Sequence, residues 1–136
     1  MLQAKLKILL IEGYEIEVIK IKRAISKNNY DYSLTLATNG DEAITFLEEN
    51  FPNIILLDLD TPKTNGIEFI SILKKNNDLK HIPIIILTNS EINKSISELY
   101  KLGIAGYILK PLEFDEYSSK INTTIKYWSL NEFIKL

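Results

Sequence analysis

The sequence contains no cysteine and one histidine, His81. Disulfides, thiolate metal sites and histidine-rich metal sites are therefore excluded. No apolar run approaches the ~18 residues of a membrane span. The first eleven residues hold two lysines, Lys5 and Lys7, with no cleavage-type ending, so no membrane partner and a cytoplasmic location are expected. An excess of either charge is also missing. Sixteen basic residues stand against eighteen acidic ones, a formal charge of -2 that offers no field to draw nucleic acid or an anionic surface. Nor does a glycine-rich phosphate loop follow the first apolar run, as a flavodoxin-like nucleotide binder would need.

What is present suits a single domain, 1–136: 136 residues with 46% apolar content are enough for one sizeable core. The organising stretch is Asn53-Ile54-Ile55-Leu56-Leu57-Asp58-Leu59-Asp60-Thr61-Pro62. Its apolar run is too short for a helix of its own and reads as a strand buried on both faces, as in a parallel sheet under helices. Asp58 then stands where a central strand ends. In open α/β sheets ligands collect at the carboxyl ends of strands, although an acid at such a place also serves simply to cap a turn.

The rest of the chain alternates. Ile8 to Ile11 form a first apolar run, cut off by Glu12-Gly13. Between Glu15 and Ser26, Val18, Ile21, Ala24 and Ile25 recur at helical spacing, and Asn28-Asn29 ends that helix. A β-rich segment from Tyr32 to Ala37 leads to the turn and cap residues Asn39-Gly40-Asp41, then to a helix through Ala43, Ile44 and Leu47 to about Asn50. After Gly66 a third helix turns Ile67, Ile70 and Leu73 inward. The run Ile82 to Leu87 is a fourth buried strand, ending in Thr88-Asn89-Ser90. A fourth helix shows Ile92, Ile96, Leu99 and Tyr100 and stops at Gly103. Ala105 to Leu109 is a fifth strand, ending at Lys110-Pro111. The last helix begins near Glu113 and carries Tyr117, Ile121, Ile125 and Trp128 on one stripe. It continues as a helical tail over about 127–136, whose Tyr127, Trp128, Leu130, Phe133, Ile134 and Leu136 are too many apolar groups for one sheet face to cover. The tail therefore either folds back on its own protomer or pairs two copies. Five strands alternating with five helices predict an α/β fold with a five-stranded parallel sheet and helices on both faces.

Glu12, Asp58, Asp60, Thr88 and Lys110 all leave strands at the carboxyl edge and can converge. A carboxylate accepts a phosphoryl group when a divalent cation neutralises the crowded oxygens and an ammonium and a hydroxyl hold the others. Five stretches, in this order, make the chain resemble the receiver domains of two-component response regulators, the CheY-like group. They are Ile8-Leu9-Leu10-Ile11-Glu12, Asn39-Gly40-Asp41-Glu42-Ala43, Leu56 to Pro62 with Gly66 following, Ile84 to Thr88, and Gly106-Tyr107-Ile108-Leu109-Lys110-Pro111. The resemblance covers essentially the whole chain and implies the strand order 2-1-3-4-5. It implies Asp58 as phosphoacceptor, Glu12 in an Mg2+ site, Thr88 as switch hydroxyl, Lys110 on the phosphoryl oxygens, Tyr107 as the aromatic that follows the switch, and a cis Lys110-Pro111 bond. More narrowly, Asp78 to Pro83, the Pro111-Leu112-Glu113-Phe114-Asp115 helix start and the Tyr127-Trp128 ending are similar to single-domain regulators that partner phytochrome-type kinases. Implied with these are a sensor histidine kinase, a downstream protein target and a homodimer formed through the face of helix four, strand five and helix five.

The pattern breaks at Gly13, where the family presents a second acid that ligates magnesium. A unit charge pair at about 4 Å is worth roughly 4 kcal/mol in a partly screened site, so its loss predicts a weakened or relocated Mg2+ site. Asp60 is the expected compensation, leaning inward to join Glu12 and Asp58 as metal ligands. One rival is a pseudo-receiver that signals by binding alone. A second is a phosphatase of the haloacid-dehalogenase type, since Asp58-Leu59-Asp60-Thr61 resembles that superfamily's motif. The motif sits on the third strand here, and no acidic pair ends a later one. His81 begins the fourth strand, about 20 Å from the pocket at ~3.3 Å per residue, and takes no part.

Overall fold

Residues 5–26, 31–89 and 96–134 are described in a computed structural model of the chain. The elements alternate as β1 (Leu6–Ile11), α1 (Glu15–Ile25), β2 (Tyr32–Ala37), α2 (Gly40–Leu47), β3 (Ile54–Asp58), α3 (Gly66–Lys74), β4 (Ile84–Thr88), α4 (Ile96–Leu102), β5 (Gly106–Leu109) and α5 (Phe114–Ser129). The strands form one parallel sheet in the order β2-β1-β3-β4-β5. This is the α/β doubly wound architecture that the alternation predicts.

Period-two alternation divides the apolar strands between two cores. Leu9, Ile11, Ile55, Leu57, Ile84 and Ile86 meet Ala43 and Leu47 of α2, Phe69, Ile70 and Leu73 of α3, and Leu99 of α4. On the other face Ile8, Leu10, Ile54, Leu56, Ile85 and Leu87 meet Ile21, Ala24 and Ile25 of α1 and Tyr117, Ile121 and Ile125 of α5. Every residue of β3 and β4 is buried. Such strands cannot slip by one residue, because a slip would exchange the two cores. Register is thus fixed, and with it the order in which the strands give out. Ile11 lies opposite Leu57, Asp58 opposite Leu87, and Thr88 opposite Leu109. Glu12, Asp58, Thr88 and Lys110 consequently reach the same edge.

Several boundaries differ from expectation. α2 stops at Leu47, short of Asn50, because the Asn50 side-chain amide donates to the Phe46 carbonyl (2.9 Å) that another helical turn would use. β4 starts at Ile84, after Ile82 N–H has closed a turn onto the Leu79 carbonyl (3.0 Å). Tyr100, expected inward, is 50% exposed; Leu99 is fully buried in α4, with Ile96 and Leu102 packed partly buried beside it. The Lys110-Pro111 bond is trans, since the described residues include no cis peptide bond. Asn28-Asn29, Ser90, Ile92 and Leu136 lie outside the described residues.

The C-terminal tail is helical only at its start. α5 ends at Ser129, where the Ser129 hydroxyl donates to the Lys126 carbonyl (2.7 Å) and the Asn131 amide to that of Tyr127 (2.8 Å), so side chains satisfy the last turn. Trp128 and Phe133 then stack with ring centroids 6.4 Å apart and pack against the core of the α1–α5 face. Tyr127, Leu130 and Ile134 remain exposed. The tail thus folds back in part and leaves an apolar remainder. Among the described residues no helix is long and apolar enough to cross a membrane.

Candidate functional site

Glu12, one residue beyond β1, is fully buried. Its Oε2 accepts from the Thr61 hydroxyl (3.0 Å) and the Tyr14 N–H (3.4 Å), while Oε1 accepts no hydrogen bond among the described residues. Burial, then the hydrogen bond and charge of Asp58, push its carboxyl up to about 7 from 4.5. Asp58, at the end of β3, is 1% exposed; its Oδ1 accepts from the Asp60 N–H (2.8 Å) and its Oδ2 from the Lys110 ammonium.

Lys110, just past β5, brings its ammonium to three carboxylates: Asp58, Glu17 (3.5 Å) and Glu12 Oε1 (3.9 Å). Burial acts to lower its proton affinity, but the hydrogen bond and charge of Asp58, with Glu17 and Glu12, outweigh that and hold it above the ordinary lysine value. Glu17 is the member that sequence reasoning missed. It lies in the first turn of α1, over the strand ends, and one oxygen each of Glu12, Glu17 and Asp58 falls within 4.8 Å of the others. Three acids around one ammonium leave an excess of negative charge at the bottom of the site.

Asp60 does not join this cluster. Its carboxylate turns the other way, to the end of β4, where Oδ2 accepts from the Asn89 N–H (2.9 Å) and the Thr88 hydroxyl lies 3.4 and 3.5 Å from the two oxygens. The cause is the turn after β3, in which the Thr61 N–H bonds back to the Asp58 carbonyl (3.1 Å) and swings residue 60 across toward β4. The third acid beside Glu12 and Asp58 is therefore Glu17 of α1, one turn past Gly13, and not Asp60. Thr88 itself is buried at the edge between Asp58 and Lys110, and the Lys110 N–H donates to its carbonyl (2.8 Å). Tyr107, opposite Ile86 on β5, is partly buried against the core of the α2–α4 face. Tyr117 of α5 is buried, its hydroxyl without a hydrogen-bond partner among the described residues, and burial, then Glu17, Asp58 and Glu12, raise its proton affinity.

Gly13 follows Glu12 under a steric constraint. A Cβ there would lie 2.9 Å from the Thr38 carbonyl oxygen and 3.0 Å from Pro62 Cδ. The position that the resemblance assigns to a second acid has no room for a side chain unless the backbone shifts.

Comparison with known proteins agrees with this geometry. The response regulator receiver domain family matches residues 8–122. The response regulator Rcp1 of a Synechocystis species is 28% identical over 128 residues, spanning 89% of this chain and 87% of Rcp1. The probable methanogenesis regulatory protein FilR2 of Methanothrix harundinacea is 28% identical over 127 residues, 89% of this chain and 82% of that protein. Among solved structures, the phosphorylated cyanobacterial phytochrome response regulator RcpA superposes with a TM-score of 0.88 at 26% identity, covering 97% of this chain and 100% of RcpA. The Mn(2+)-bound form of Rcp1 gives 0.83 at 26% identity, covering 96% and 99%. Receiver domains are regulatory modules that bind Mg2+. A buried acid edge on a sheet of order 2-1-3-4-5, together with a family match over most of its length, places this chain among the response regulator receiver domains.

Proposed function

We propose that the chain is a phosphoacceptor response regulator in which Asp58 takes a phosphoryl group from the phosphohistidine of a sensor kinase. One observation carries this reading: the Asp58 carboxylate is buried at the end of β3, with its Oδ2 bonded to the Lys110 ammonium. An Asp58 oxygen attacks phosphorus, an O–P bond forms, the N–P bond of the donor breaks, and the imidazole leaves with the bonding pair. Lys110 stays beside the transferred group and offsets its charge.

Glu12, Glu17 and Asp58 fit a divalent cation. Each contributes an oxygen to one cluster, and Glu12 Oε1 is buried without a hydrogen-bond donor among the described residues, an arrangement that a cation would complete. When bound, magnesium neutralises the oxygens of the incoming phosphoryl group. Glu17 supplies the charge lost at Gly13, while Lys110, drawn to the same three acids, competes for it and keeps the affinity modest.

The phosphoryl group adds a charge of about -1.5 to -2. Thr88 and Tyr107 are the switch residues in this reading, and the α4-β5-α5 face repacks for a downstream protein. Reversing a 1:99 population needs about 5.5 kcal/mol. Two or three charge-assisted hydrogen bonds, at roughly 1.5–3 kcal/mol each, reach that scale. The exposed Tyr100, Leu112 and Tyr127 supply apolar surface for that partner or for a second copy of the chain.

The test is intact-mass measurement after incubation with a phosphohistidine donor and magnesium. One hydroxylamine-sensitive phosphoryl group per chain, lost in Asp58→Asn, is expected. No incorporation, or incorporation retained in Asp58→Asn, overturns the proposal.

A further inference from the structure

We infer that Asp60 is a built-in occupant of the chain's own phosphoryl-recognition donors, an anion that leaves before Asp58 carries a phosphoryl group. The inference rests on the phosphoacceptor reading of Asp58 and concerns a residue outside the acid cluster.

Asp60 spans the pocket. Its N–H donates to Asp58 Oδ1 (2.8 Å), while its carboxylate Oδ2 accepts from the Asn89 N–H (2.9 Å) and lies 3.4 Å from the Thr88 hydroxyl. A hydroxyl and a backbone N–H at the end of a buried strand make a preorganised pair for an oxyanion. Here the pair already holds one. A group attached to Asp58 would grow from a carboxylate held by the Asp60 N–H on Oδ1 and by the Lys110 ammonium on Oδ2.

Two anions cannot share these donors. The Asn89 N–H offers one hydrogen, and a phosphoryl group with about two negative charges disfavours a carboxylate within a few ångströms. Asp60 is the partner able to move. It is exposed, in the connection between β3 and α3, so its carboxylate can turn into water, whereas Asp58 and Thr88 are buried at strand ends. The internal carboxylate thus lowers the affinity of the pocket for a phosphoryl group and holds the Thr88–Asn89 segment against an anion in the unphosphorylated chain.

The opposite role, that of a cation ligand, makes the opposite forecast, and one titration separates the two. The full chain is titrated with beryllofluoride in saturating magnesium, followed by 19F NMR of the bound fluorides, as wild type, Asp60→Asn and Asp60→Ala. Magnesium affinity is measured separately by calorimetry, and the Asn89 amide is followed by 15N NMR without beryllofluoride. Expected are beryllofluoride binding about tenfold tighter in both variants, magnesium affinity within twofold of wild type, and a displaced Asn89 resonance. Equal binding in all three chains overturns this inference and leaves the phosphoacceptor reading intact. Weaker binding in the variants also overturns it and assigns Asp60 to the cation. Failure of every chain to bind beryllofluoride overturns both.

Discussion

Gly13 and Thr38 approach so closely that a Cβ on residue 13 would stand 2.9 Å from the Thr38 carbonyl oxygen. Real Cβ atoms do not come that near, and the obstacle is backbone, with Pro62 on another side. Restoring the acid by Gly13→Asp therefore forces the segment after β1 to shift, at a cost of about 1–3 kcal/mol. Urea denaturation reads this as a lowered midpoint, and calorimetry shows no gain in magnesium affinity. A fully stable Gly13→Asp with tighter magnesium binding would mean that the room exists.

Glu17 reaches Lys110 at 3.5 Å and shares the carboxylate cluster with Glu12 and Asp58. Its replacement by Gln removes one charge from the cation site without adding bulk. Magnesium affinity falls about tenfold in Glu17→Gln, the equivalent of 1.4 kcal/mol. Asp60→Asn leaves it within twofold, because that carboxylate faces Thr88 and Asn89. Calorimetry on the two variants side by side is the measurement, and the reverse order would return the compensating role to Asp60.

Glu12 makes folding depend on pH in an unusual direction. Burial, followed by the Asp58 hydrogen bond and charge, lifts its carboxyl to about 7, against 4.5 ordinarily. Between those values the folded chain binds more protons at this residue than the unfolded chain does, so its contribution to stability is fully present below 4.5 and lost as pH rises through about 7. In EDTA, wild type gains on Glu12→Gln as pH is lowered from 8 to 5, by on the order of 2 kcal/mol. Paired thermal melts across that window check it; a pH-independent difference would show that Glu12 is charged throughout.

Tyr117 buries a hydroxyl that finds no hydrogen-bond partner among the described residues. Removing that oxygen relieves its desolvation and leaves the ring in the core beside Ile121. Tyr117→Phe is expected to hold or raise stability, by up to about 1 kcal/mol. A loss of more than that amount on chemical denaturation would reveal a bond the hydroxyl makes in solution.

Much of the site was legible because it sits at the ends of runs that can only be strands. Ile54 to Leu57 and Ile84 to Leu87 are apolar without interruption, so their ends are sharp, and Asp58 and Thr88 mark the sheet edge unambiguously. Glu17 escaped for a reason of helix geometry. Spacing on Val18 and Ile21 identifies the buried stripe of α1 but treats the charges between as solvated, although in a parallel sheet the first turn of each helix overhangs the strand ends. An acid one turn past Gly13 was the available signal. Asp60 was expected to lean inward to replace the charge lost at Gly13, but the turn closed by the Thr61 N–H carries it to the end of β4, where its carboxylate meets Thr88 and Asn89. The unexpected end of the tail has a similar origin: Ser129 and Asn131 stop α5 through their own side chains, against a run of apolar residues that would otherwise prolong it.

The most direct measurement is borohydride reduction of the phosphorylated chain followed by peptide mapping. Reduction of an aspartyl phosphate leaves homoserine, so the acceptor is written into the sequence. Homoserine at position 58 alone, formed only with magnesium and donor present, is the predicted result; homoserine at position 60, 5-hydroxynorvaline at position 12, or no reduced residue at any position, would contradict it.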